Sequence, residues 1–146
     1  MGKRTVSAAR DTERAMSQEN VEIARQAIEA WNAGDMDALR ALYDPEAVMR
    51  NPPDWAEAGP YLGRDAIMRQ FSQVREIWPD ENFFDRVDLL DAGDRVVAQV
   101  DFHGGTRGLP LTAEMAWVYT MRHGSIVSLE LFPSREKALE AAGLTE

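Results

Sequence analysis

Cysteine is absent from this 146-residue chain, and histidine occurs only twice, as His103 and His123. The first absence excludes disulfide frameworks, thiolate zinc sites and cysteine nucleophiles. The second leaves too few neutral nitrogen donors for a dedicated transition-metal centre, so no metal and no cofactor is expected. Positive charge is scarce: 16 Lys and Arg stand against 25 Asp and Glu, a formal charge of −9 and a pI near 4.7. A chain this acidic repels phosphate backbones, which argues against a nucleic-acid partner. No apolar run approaches the ~18–20 residues of a membrane span, and no apolar segment of signal-peptide type follows Met1. The expectation is a cytoplasmic protein with no membrane contact. The glycine-rich stretch Gly104-Gly105-Thr106-Arg107-Gly108 lacks the Lys-Ser/Thr of a phosphate-binding loop and leads into a strand pattern rather than a helix.

What remains is 45% hydrophobic sequence in a length that suits one domain. Residues 1–15 have four basic and two acidic side chains, a single large aliphatic residue and no apolar period. They are expected to form a disordered leader, or to precede a natural start at Met16, with residues 16–146 as the domain. From Ser17, a plausible N-cap, Val21, Ala24, Ile28 and Trp31 repeat with helical spacing as far as Gly34. Asp35 can cap a second helix with Met36, Leu39, Leu42 and Tyr43 on its apolar face, ended by Pro45. A short strand over 46–51 stops at Pro52-Pro53. A third helix from about Arg64 carries Ile67, Phe71, Val74 and Trp78 up to Pro79.

Beyond Pro79 the apolar period falls from 3.6 to 2. Segments 82–90, 95–103, 111–122 and 125–132 read as strands; Gly93-Asp94 and His123-Gly124 supply turns. Ser134 can cap a last short helix. Helices followed by an antiparallel meander define an α+β domain with helices on one face of the sheet. Alternation sorts the strands into two faces. Val96, Ala98, Val100 and Phe102, with Met115, Trp117, Tyr119 and Met121 and with Val127, Leu129 and Leu131, should face the helices. Gln99, Asp101, His103, Thr112, Glu114, Thr120, Ser128 and Glu130 should face solvent or a subunit contact. A flat sheet would give a filled core; a curved one would leave a cavity beside Phe102, Met115, Trp117 and Tyr119.

The segment Asn20 to Asp35, ending Trp31-Asn32-Ala33-Gly34-Asp35, resembles the first-helix signature of the nuclear transport factor 2-like superfamily in its SnoaL-like branch. The similarity continues through Leu42-Tyr43-Asp44-Pro45-Glu46-Ala47, Tyr61-Leu62-Gly63-Arg64-Asp65-Ala66-Ile67 and His123-Gly124-Ser125-Ile126-Val127. It implies a cone-shaped α+β barrel: a curved antiparallel sheet wrapped on three N-terminal helices, with an apolar pocket inside and a short C-terminal helix. Relatives include isomerases, cyclases, hydrolases and members without chemistry, so the fold does not decide the activity.

Residue matching against those activities mostly fails. Where steroid isomerases of this fold place a tyrosine, an aspartate and a strand acid, this chain has Ala27, Asn51 and a position near Trp117. The charged set of the limonene-type hydrolases falls at Val100, Phe102 and Leu131, although Asn51 matches their asparagine before proline. The histidine–aspartate pair of the polyketide cyclases would correspond to His103 and Asp101, both on the outward parity.

Two readings follow. In the first, the chain is a small-molecule pocket protein for a hydrophobic, cyclic ligand, with cofactor-free acid/base chemistry of isomerase, cyclase or hydrolase type. Asp54 is then the candidate general base in the loop over the mouth, and the lining comprises Trp31, Tyr43, Asn51, Trp55, Tyr61, Phe102, Met115, Trp117, Tyr119 and Leu131. In the second, it is a non-catalytic homodimer joined through the outer sheet face. The aromatic loop residues Trp55 and Tyr61 favour the first; the missing acid/base set favours the second.

Overall fold

The computed structural model describes residues 2–144, with side chains described from residue 13 onward. Ten elements follow one another: α1 (Gly2–Ala33), α2 (Met36–Ala41), β1 (Tyr43–Arg50), β2 (Tyr61–Leu62), α3 (Arg64–Ile77), β3 (Glu81–Ala92), β4 (Arg95–Thr106), β5 (Leu109–Arg122), β6 (Ser125–Phe132) and α4 (Arg135–Ala141). The helix expected to open at Ser17 runs through that residue instead. The span of α1 also takes in most of the proposed leader, whose side chains up to residue 12 lie outside the described residues.

The Trp31–Asp35 segment shows why the first two helices meet as they do. Gly34, at φ 70°, ends α1 while the amides of Gly34 and Asp35 return to the carbonyls of Trp31 (3.0 Å) and Ala30 (2.9 Å), a Schellman closure. Asp35 then caps α2, its Oδ1 accepting from the Ala38 amide at 3.0 Å. Asn32 acts as a substitute strand: its Nδ2 donates to the Phe84 carbonyl and its Oδ1 accepts from the Phe84 amide, each at 2.8 Å. That pair pins α1 to β3. The second helix is shorter than the apolar spacing suggests, because Tyr43 opens β1 and extends the expected strand toward the N-terminus.

The six strands form one curved sheet in the order β2-β1-β6-β5-β4-β3. The meander from β3 to β6 is antiparallel, as its hairpin turns require; β1 joins β6 in parallel and makes the sheet mixed. Register shifts between Asp85 and Asp88, and between Thr120 and Met121, add local twist and help the sheet curl. The second shift corrects the parity reading of β6. Met121 pairs with Ile126, so Ile126 enters the core with no exposed surface, and Val127 is left only half-buried.

The inner face otherwise follows the alternation. Val96, Ala98, Val100, Trp117, Tyr119 and Leu129 join Ile23, Ala27, Ile28, Trp31, Ile67 and Phe71 in the main core. The outer face is less polar than expected. Val97, Ala116 and Val118 form a second small core with Ala138 and Leu139 of α4. The Ser134 hydroxyl caps α4 by accepting from the Lys137 amide. Arg135 then reaches Gln99 and, at 3.1 Å, Asp88, which fastens the helix across the strands.

Candidate functional site

The curl of the sheet and the helices beneath it enclose a cavity of about 420 Å³, within the usual range for small-molecule sites. Strand β5 runs its length. Leu111 stands exposed at the mouth, Met115 is half-buried, and Trp117 and Tyr119 are buried farther in. Of the residues expected to line a pocket, Trp31, Tyr43, Asn51, Trp55, Phe102, Met115, Trp117, Tyr119 and Leu131 all do so. Tyr61 and Asp54 do not. Asp54 is an exposed loop carboxylate, and Tyr61 faces the loop, its hydroxyl donating to the Glu57 carbonyl at 3.0 Å.

The deep wall is aromatic and tightly braced. Trp31 meets Phe71 edge-on at 5.5 Å and Phe84 at 5.7 Å, with the Arg75 guanidinium 4.8 Å over its ring. Its indole N–H donates to Asn82 Oδ1 at 2.9 Å. Trp117 packs against Phe84 at 5.2 Å and Tyr119 at 6.2 Å. Burial pushes the phenols of Tyr43 and Tyr119 well above their ordinary value. The mutual proximity of the two rings adds to the rise at Tyr43; the neighbouring Trp117 indole partly opposes it at Tyr119. Both therefore remain neutral hydroxyls at physiological pH.

The mouth is built from a loop. Strand β1 ends at Asn51, whose amide donates to the Ala58 carbonyl at 2.9 Å and whose Nδ2 donates to the Glu57 carbonyl at 2.8 Å. Asn51 and Tyr61 thus grip the same carbonyl and hold Glu57 at the cavity. The Gln70 amide, buried on the inner face of α3, donates to Glu57 Oε2 at 3.4 Å. Glu57 and Glu114 are the carboxylates of the lining among the described residues.

Among the described residues, two fully buried polar side-chain atoms of the cavity lining have no hydrogen-bond partner. Trp117 is 4% exposed and its Nε1 makes no hydrogen bond of acceptable geometry, although it lies near Tyr119. Asn51 is 6% exposed; with its Nδ2 committed to Glu57, its Oδ1 is left unmatched. One is a donor and the other an acceptor. Buried polar groups are nearly always satisfied in folded proteins, so a pair of orphans beside an apolar cavity calls for a complementary occupant.

Sequence reasoning missed Glu57, Gln70 and Glu114. Gln70 carried a readable signal, a polar residue three positions after Ile67 on the apolar side of α3. Glu57 carried none, because a loop without a period does not reveal which side chain turns inward. His103 stands on the outer face, stacked on Phe83 at 4.7 Å and 2.7 Å from Asp85 Oδ1. It takes no part in the cavity. Among the described residues no group of His, Asp and Glu could hold a metal ion, and no helix is long and apolar enough to cross a membrane.

Helices packed inside a curled sheet around an apolar cavity define the α+β cone of the nuclear transport factor 2-like proteins. The chain belongs to the SnoaL-like domain family, whose model matches residues 24–129. Bal32a, from a soil-derived mobile gene cassette, is 24% identical over 86% of this chain and 97% of its own, with a TM-score of 0.75. A nuclear transport factor 2-like protein from Burkholderia thailandensis is 25% identical over 86% and 98%, at 0.68. TerC, solved as a co-crystal with polyporic acid, is 19% identical over 86% and 98%, at 0.69. No curated protein matches the chain.

Proposed function

We propose that this chain is a small-molecule pocket protein whose ligand is flat, largely apolar and equipped with a carbonyl oxygen. The observation that carries the reading is the buried Trp117 N–H in the wall of an otherwise apolar cavity, which has the Tyr119 hydroxyl near it but no hydrogen bond of good geometry. An occupant without an acceptor would strand that donor away from water; a carbonyl would satisfy it. The neutral hydroxyls of Tyr43 and Tyr119 stand nearby as further donors. The co-crystallisation of TerC, a protein of similar fold, with polyporic acid is in keeping with a small-molecule partner.

Glu57 supplies the chemistry. Its carboxylate lies at the mouth, its backbone is fixed by Asn51 and Tyr61, and Gln70 donates to one carboxylate oxygen. A carbonyl held by donors acidifies the neighbouring C–H bonds, and Glu57 can take the proton from a ligand whose acidic carbon reaches the mouth. Glu57 therefore replaces Asp54 as the acid/base candidate. The outcome is cofactor-free proton transfer of the kind that isomerases and cyclases use.

The test compares 9-fluorenone with fluorene, the same ring system without the oxygen. Dissociation constants from tryptophan fluorescence should favour fluorenone by about tenfold. In Trp117→Phe the preference should vanish while fluorene still binds. Equal affinities in the native protein would overturn the donor's role.

A second reading, a binding module without chemistry, draws on the exposure of both lining carboxylates, Glu57 and Glu114. Homodimerisation through the outer face belongs to the proposal in a narrower form. Because α4 already covers Val97, Ala116 and Val118, the free part of that face lies around Phe83, His103 and Thr112. Sedimentation of the native chain and of Thr112→Arg tests it: a dimer that the substitution splits supports this contact, and a monomeric native chain removes it.

A further inference from the structure

The apolar surface does not stop at the cavity. Trp55, Ile77 and Leu111 belong to its lining, yet they are also three of the large hydrophobic side chains most open to solvent. Leu109, two residues before Leu111 and so on the same side of β5, continues the strip outward. These four are between 41% and 69% exposed. Single apolar residues scattered over a surface need no explanation, but three at one opening, with Leu109 on the same side of the strand beyond them, extend the apolar surface out of the cavity.

They come from three separate elements: the loop after β1, the end of α3, and the start of β5. No local pattern places apolar residues there together. A ligand wholly enclosed by the cavity would leave this rim in water without return.

Resting on the reading of the cavity as a ligand site, we infer that its ligand is longer than the cavity and carries an uncharged alkyl or other apolar tail, which leaves through the mouth and lies against Trp55, Ile77, Leu111 and Leu109. The formal charge of −9 opposes an anionic membrane surface or an acidic carrier as the occupant of the same patch. An uncharged tail meets no such opposition. Along β5, Trp117 and Leu111 are six residues apart, roughly 20 Å at about 3.3–3.4 Å per residue, so a ligand seated at Trp117 needs a long chain to reach the rim.

The alkyl phenyl ketones butyrophenone, octanophenone, dodecanophenone and hexadecanophenone provide the test, read by tryptophan fluorescence on the full chain. Full burial of a methylene strengthens binding about fourfold. On a rim open on one side about half that factor is expected, near twofold per carbon, and the gain should persist to hexadecanophenone. In Leu109→Ser, at a rim residue outside the cavity lining, hexadecanophenone should weaken by about fourfold while butyrophenone changes by less than about twofold. The position lies on the exposed start of the strand, and an unchanged urea midpoint would show that the variant folds.

A plateau beyond octanophenone in the native protein would overturn the inference and leave an enclosed ligand. Equal losses for the short and the long ketone in Leu109→Ser would overturn it as well. Failure of every ketone to bind would remove the pocket reading itself, and the tail with it.

Discussion

The deep wall and the mouth of the cavity are made by different means. The wall is carried by strand and helix positions, Trp31, Tyr43, Trp117 and Tyr119, each buried by the period of its own element and braced by ring contacts. The mouth is carried by Asn51, Trp55 and Glu57 on a loop held through hydrogen bonds to its backbone. Stability and shape belong to the wall, while the proposed chemistry and ligand entry belong to the mouth. Proteins commonly divide the work in this way, with reactive groups on loops positioned by a rigid scaffold.

The sharpest way to break this contrast is to truncate one tryptophan from each region. Trp31→Ala removes two ring contacts, a cation–π contact and a buried indole hydrogen bond, and should cost about 3–5 kcal/mol in urea denaturation. Trp55→Ala, at the solvent-exposed mouth, should stay within about 0.5 kcal/mol. Comparable losses would mean that the mouth is part of the core.

Function should show the opposite ranking. In D2O, the exchange of the acidic C1 hydrogens of 2-tetralone, followed by proton NMR, should be faster with the native protein than in buffer. Glu57→Gln should lower that acceleration by about a hundredfold or more while binding and stability persist. Asp54→Asn should leave it unchanged. A protein that binds 2-tetralone without accelerating exchange would be the module without chemistry.

Alkali separates the regions a third way. Tyr43 and Tyr119 have phenol values raised by burial, so in the folded state they hold their protons above the ordinary 10.0 at which the unfolded chain releases them. Above that pH the unfolded state binds fewer protons, and stability falls with rising pH. The slope should approach about 1.4 kcal/mol per unit for each buried phenol, with full stability below 10.0. Tyr61 at the surface should ionise in the folded protein. Absorbance at the phenolate band should therefore show one tyrosine titrating reversibly and two titrating only as the protein unfolds.

A smaller effect tests how the wall is hung. Asn32→Ala deletes both side-chain bonds to Phe84 and should cost about 1–2 kcal/mol, discounted for their exposed setting. Amide exchange should quicken at the β3 strand first. Loss spread evenly over the chain would contradict a local pin.

The same contrast governs what could be read beforehand. Alternation identified Phe102, Met115, Trp117 and Tyr119 because a strand with one buried face admits only one parity. It failed at Val127, where the register shift opposite Met121 transfers burial to Ile126, and no composition signal marks such a shift. The outer-face core of Val97, Ala116 and Val118 depended on where α4 lands, a long-range fact. At the mouth, sequence reasoning pointed to Asp54, but which carboxylate turns inward depends on how the chain turns after Pro53. There the hydrogen bonds of Asn51 and Tyr61 to one carbonyl decide the outcome, and although they span only six and four residues no periodic pattern announces them.

One measurement bears most directly on the cavity as a ligand site. All four tryptophans, Trp31, Trp55, Trp78 and Trp117, line it, so a nitrogen–proton correlation spectrum of tryptophan-labelled protein reports the site through four indole signals. On titration with 9-fluorenone, the Trp117 indole proton should move downfield and saturate as it gains an acceptor, while the Trp31 signal, already bonded to Asn82, should move least. Four indole signals unmoved at saturating fluorenone would contradict the account.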